Sequence, residues 1–104
     1  MANLYVTFSR VSGQRYFNAP IADGASARTE TIEIPSASDG SAAGTLTAAA
    51  GETHVEVHAG ADCWVAIGAT PEAEAGTGDS RFIPSGATRE FAVSEGHKVA
   101  VIGV

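Results

Sequence analysis

Cys63-Trp64-Val65-Ala66-Ile67-Gly68, Arg81-Phe82-Ile83-Pro84-Ser85-Gly86, Arg89-Glu90-Phe91-Ala92-Val93 and Lys98-Val99-Ala100-Val101-Ile102 fill most of the last third of this chain. Each is a short apolar run closed by glycine, proline or serine, and none has the spacing of an amphipathic helix. The run from Cys63 to Ala69 is apolar enough to be a central strand buried on both faces. Thr88 to Val93 and Lys98 to Val104, joined by Ser94-Glu95-Gly96-His97, are expected to pair as a hairpin.

The same grammar runs toward the N-terminus. Leu4, Val6 and Phe8 alternate with Tyr5 and Thr7, and Val11 extends that strand. Arg15-Tyr16-Phe17 is a short strand candidate, followed by a loop over 18–27. Arg28 to Ile34 alternates with Ile32 and Ile34 on one side, and β-branched residues favour a strand there. The Pro-Ser-Ala-Ser-Asp-Gly-Ser-Ala-Ala-Gly stretch over 35–44 has little to bury and reads as a loop. Thr45 to Ala50 is alanine-rich, but bracketing glycines and interrupting threonines argue against a helix, and Leu46 and Ala48 are expected to face the core. A turn at Ala50-Gly51-Glu52 leads into a strand from Thr53 to Ala59, and 70–80 is a polar loop. The sum is one all-β domain over 1–104: a small antiparallel, jelly-roll-like β-sandwich of about eight short strands with no substantial helix.

Composition narrows the function. Much of the 44% hydrophobic content is alanine and only 7% of residues are aromatic, so the core rests on a few large side chains. Such a core, with open sheet edges, points to stabilisation by self-association or docking. Six Lys and Arg stand against twelve Asp and Glu, a formal charge of −6 that disfavours nucleic-acid binding. No stretch approaches the roughly 18 apolar residues of a membrane span. The N-terminus carries no charged region followed by an apolar stretch, so no secretory signal is expected.

Candidate chemistry is sparse. His54, Glu56 and His58 share one strand face, with neighbours roughly 6.5–7 Å apart. That suits a shared metal, or a solvated face opposite a Val55/Val57 core stripe, and the second reading is preferred. His97 is expected in an exposed turn. Cys63 sits in an apolar strand, as a small buried hydrophobe does, and not as a thiolate nucleophile. Trp64, a conceivable sugar platform, is expected to be buried, with Tyr5 and Tyr16 partly exposed. No nucleophile elbow or phosphate loop is present, and Glu72, Glu74 and Asp79 lie in a loop unsuited to fixing a carboxylate separation. Asp23, Asp39, Asp62 and Asp79 fall in no patterned calcium loop. The chain reads as a non-enzyme with no cofactor and no metal.

From Trp64 onward the chain resembles the C-terminal half of small structural proteins of tailed bacteriophages and prophages. The shared features are the Trp-Val-Ala-Ile-Gly strand, a Thr-Pro-Glu-Ala loop, an Ile-Pro-Ser-Gly turn, Arg-Glu-Phe-x-Val, and a Gly-x-Lys turn before Val-Ala-Val-Ile. The first half shares none of this. The resemblance implies a virion component made in the host bacterial cytoplasm, foremost a head decoration or cement protein bound to the major capsid protein or another virion protein and assembled as a homo-oligomer, a trimer being the expected count. A connector or tail-associated role, or a stand-alone carbohydrate- or host-surface-binding module, is the alternative. Candidate contact residues are Leu4, Tyr5, Val6 and Phe8 on the first strand, with Arg10, Arg15, Tyr16 and Arg28.

Overall fold

The computed structural model describes residues 2–13, 20–22 and 27–104. The described residues form ten strands: β1 (Asn3–Ser9), β2 (Val11–Gly13), β3 (Pro20–Ala22), β4 (Arg28–Glu33), β5 (Ala42–Ala43), β6 (His54–Ala59), β7 (Cys63–Gly68), β8 (Arg81–Ile83), β9 (Thr88–Ala92) and β10 (Lys98–Gly103). The helical content of the described residues is a single 3-10 turn, Ala37–Asp39. Eight strands form two four-stranded antiparallel sheets, ordered β4-β1-β6-β9 and β5-β10-β7-β8, and the protein is an all-β sandwich as expected. The order is that of a jelly roll in which β1 fills the place, between β4 and β6, usually taken by the last strand.

Alternation builds the core. In the first sheet Leu4, Val6 and Phe8 stand beside Ile32, Ala59, Val57 and Val55 on the inward face. Val99 and Val101 pair with Ile67 and Val65, and Cys63 with Ile83, on the inward face of the second sheet. These residues interleave in one cluster, joined by Leu46 and Ala48 as the sequence predicts. Close backbone approach fixes one end of the sandwich: the Gly103 N–H donates to the Pro35 carbonyl at 2.8 Å, and a Cβ on Gly103 would lie 2.6 Å from that oxygen.

The expected hairpin between the last two strands is not formed. β9 pairs with β6 in the first sheet, and β10 lies between β5 and β7 in the second. Ser94–His97 is instead an arch across the sandwich, with Gly96 at φ 87°. Its C-terminal half is tied to Ala48, whose N–H donates to the His97 carbonyl and whose carbonyl accepts from the Gly96 N–H, both at 2.8 Å. A period of two tells which face a residue occupies, but not which sheet its strand joins.

The stretch expected to be a loop over 35–44 includes β5, which pairs with β10 at Ala43↔Ala100 and Ala42↔Val101. The strand proposed over Arg15 to Phe17, and most of the 18–27 loop, lie outside the described residues; within that expected loop Pro20–Ala22 is the strand β3 and not loop, because it pairs with β2. Beyond Phe8↔Arg28, β2 and β3 form a separate two-stranded ribbon, with Val11↔Ala22 and Gly13↔Pro20 in register.

Candidate functional site

The contact residues expected on the first strand divide by parity. Leu4, Val6 and Phe8 are 0% exposed and form the centre of the core, so they are not surface contacts. β1 is moreover an interior strand, hydrogen-bonded to β4 on one side and β6 on the other, and has no free edge to offer a partner. Tyr5 points outward and is 45% exposed, its ring 6.3 Å from that of His58. Arg10 is exposed and donates to the Ala50 carbonyl at 3.4 Å. Arg15 and Tyr16 lie outside the described residues.

Arg28 has a structural partner. Its Nε donates to Glu52 Oε2 at 2.9 Å, and its Nη2 donates to Glu52 Oε1 and to the Thr47 carbonyl. Glu52 is 4% exposed and also accepts the Ala49 N–H at 2.7 Å. The Arg28 hydrogen bonds outweigh burial and hold the Glu52 carboxyl down at about 2. This group pins β4 to the segment leading into β6.

His54, Glu56 and His58 share the outer face of β6, opposite the buried Val55 and Val57. His54 Nδ1 lies 3.1 Å from Ser9 Oγ and its Nε2 lies 3.2 Å from Glu90 Oε1. His58 Nδ1 lies 2.8 Å from Thr88 Oγ1. The histidines thus engage separate hydroxyl partners, and no group of three or more metal-ligating side chains forms among the described residues. His58→Ala should cost well under about 1 kcal/mol in urea titration, whereas His54→Ala should cost about 1 kcal/mol because buried Ser9 loses its partner.

Cys63 is buried, and burial pushes its thiol up to about 11, with Asp62 adding to the effect. It should stay unreacted with an aromatic disulfide reagent at pH 8 and label in step with global unfolding; rapid native labelling would contradict this placement. Trp64, expected in the core, lies half-buried on the outer face of the second sheet, because the inward positions of β7 are Cys63, Val65 and Ile67. It meets Phe82 edge-on at 5.3 Å, and Phe82 is 44% exposed. Beside them Ala66, Ala100 and Ile102 are covered in part by Ala73 of the 70–80 loop, whose N–H donates to Ser41 Oγ. Glu74 accepts the Thr77 hydroxyl within that same loop. His97 is half-buried, its Nδ1 accepting the Ser94 N–H at 3.2 Å.

The two flanks of the sandwich differ. On the β4/β5 flank, Glu30 accepts the Thr45 N–H at 2.6 Å, the Thr45 hydroxyl at 2.8 Å and the Leu46 N–H at 2.9 Å. Burial opposes ionisation there, but these bonds together hold Glu30 below the usual carboxylate range. That flank is laced shut. β4 and β5 are edge strands, as β8 and β9 are on the other flank, but among the described residues no side-chain hydrogen bond joins β8 to β9 in the way Glu30 joins β4 to the segment after β5. Between β8 and β9 opens a cleft of about 170 Å³ lined by Val65, Ile67, Asp79, Arg81, Phe91 and His97.

Arg81 pairs opposite Val65 and Arg89 opposite Val57, so both arginines take inward positions at sheet edges and reach solvent through the gap. Arg81 makes no hydrogen bond or ion pair among the described residues, and Arg89 donates only to the Thr88 carbonyl. A sequence signal marked these positions: Arg81 has the parity of Ile83, and Arg89 that of Phe91 and Val93. A charge at an inward position is a feature of edge strands. This open flank is the candidate site. Searches of family models, curated proteins and solved structures find no match to the chain.

Proposed function

We propose that this chain is a non-enzymatic structural protein of a tailed-phage virion, foremost a decoration protein that binds the outside of the head as a homo-oligomer. The observation that carries the reading is the sandwich whose β4/β5 flank is bridged by Glu30 and whose edge strands β8 and β9 have no such bridge among the described residues. A protein that acts by attachment needs a scaffold of that kind, and strand edges are ready-made attachment sites. The strand and turn pattern from Trp64 to Val104 supports the virion assignment.

The test is co-sedimentation of the purified chain with phage capsids that lack it. A fixed copy number per capsid subunit is the expected result, and absence of saturable binding to head, connector or tail would remove the reading. One observation favours a second reading: the Trp64–Phe82 pair presents aromatic surface on the outer face of the second sheet. Aromatic faces stack on sugar rings in carbohydrate-binding sandwiches. Saturable glycan binding lost in Trp64→Ala, with melting unchanged, would establish that module instead.

A further inference from the structure

We propose that the open flank is a docking groove for an extended acidic segment of another protein, added as a strand along β9 with an acidic side chain on Arg89 and with Arg81 adding positive charge from β8. The inference rests on the structural role proposed above and specifies the chemistry of its partner.

Three features meet at this flank. The outer edge of β9, Thr88–Ala92, has no strand beside it among the described residues, so its backbone can extend a ladder. Ile67 and Phe91 are half-buried at the mouth of the cleft and leave apolar surface for an incoming side chain. Arg81 and Arg89 supply cationic heads without carboxylate partners among the described residues. Asp79 also lines the cleft, so the flank carries two arginines against one carboxylate, a local positive excess in a chain of formal charge −6 that favours acidic partners.

The register of β9 defines the segment further. Arg89 and Phe91 share the inward side, and Glu90 faces outward, where it meets His54. An added strand therefore takes an acidic residue beside Arg89 and an apolar residue two positions away beside Phe91, since alternate residues share a face. Its intervening residue lies near Glu90 and must not be acidic. Acid, neutral, apolar is the order that fits. The chain holds such a run itself, Glu30-Thr31-Ile32, but Glu30 is consumed by Thr45 and Leu46. A second copy is therefore a poor occupant.

The test is titration of the isotope-labelled full chain, followed by amide shifts, with an acetylated peptide of order Thr-Glu-Thr-Val-Thr-Thr. The control replaces its glutamate by lysine. Saturable shifts confined to β8, β9 and β7, weakened by salt and absent with the lysine peptide, are expected. Arg81→Glu with Arg89→Glu should weaken binding by about tenfold or more, the scale of one to two lost charge contacts. Both arginines are exposed, so the melting temperature of the double variant should match that of the wild type.

Equal binding of the lysine peptide, shifts centred elsewhere, no saturation, or undiminished affinity in the double variant overturns the proposal. So does concentration-dependent self-association through β9 that the peptide does not displace. Because no particle enters this titration, its failure is separable from failure of the capsid test: a chain that sediments with capsids but ignores the peptide loses only the groove.

Discussion

Replacing Phe8 by alanine should lower the unfolding free energy by about 4 kcal/mol, within the roughly 3–5 kcal/mol observed for aromatic truncation in packed cores. Phe8 is 0% exposed and stands between Arg28 and Val55 in the ladder, with its ring in the main core cluster. The neighbours are strand side chains held by backbone hydrogen bonds on both sides of β1, so they cannot collapse far into the space left behind. Small domains have only about 5–15 kcal/mol of stability, so the variant should unfold at markedly lower denaturant or not accumulate at all. Urea titration checks this. If Phe8 were instead a contact residue, the variant would melt like the wild type and lose only partner binding.

Acid should loosen the protein through Glu52. Its carboxyl titrates at about 2 in the fold, against an ordinary value of 4.5, because Arg28 donates to it and outweighs the cost of its burial. The folded-state value lies below the unfolded one, so the stabilisation is complete above about pH 4.5 and disappears as pH falls from there through about 2. Since Arg28 is 40% exposed at its end of the pair, the contribution is discounted to about 2 kcal/mol.

Glu52→Gln should therefore cost about 2 kcal/mol at neutral pH, or roughly 10 °C in melting temperature for a domain of this size. The gap to wild type should close near pH 2. Thermal melts of both proteins across pH 2–7 give the answer, and a gap independent of pH would show that the ion pair contributes nothing. Arg28→Ala should reproduce the loss at neutral pH, because it leaves the buried Glu52 carboxylate the Ala49 N–H but takes away its bidentate guanidinium partner.

The fate of the N-terminal strand shows what alternation conveys and what it does not. Leu4, Val6 and Phe8 were legible as one face and Tyr5 and Thr7 as the other, and the structure keeps that division. Whether β1 lay at an edge was not legible, because strand order depends on which distant segments pair with it: β4 and β6 here. The same limit explains the last two strands. Ser94-Glu95-Gly96-His97 signals a reversal, but a reversal within one sheet and an arch between two use the same residues. Trp64 fell outward because its parity is opposite to that of Cys63 and Val65, a fact hidden by a run apolar at every position.

The candidate site was readable in pieces. Arg81, Arg89 and Phe91 were visible as residues, and their shared inward parity was visible as a pattern. Their convergence on one open flank follows from β8 and β9 ending their respective sheets, a matter of pairing across the whole chain.

The all-β character, the inward-facing residues of most strands and the burial of Cys63 were already legible in the amino-acid order. These properties follow from local steric preference and a two-residue period, which neighbouring residues already express. Which strands lie side by side, the pairing of Arg28 with Glu52 and the position of the open flank emerge only in the folded chain. Those outcomes depend on contacts between residues far apart in the chain, and alternation carries no label for the partner.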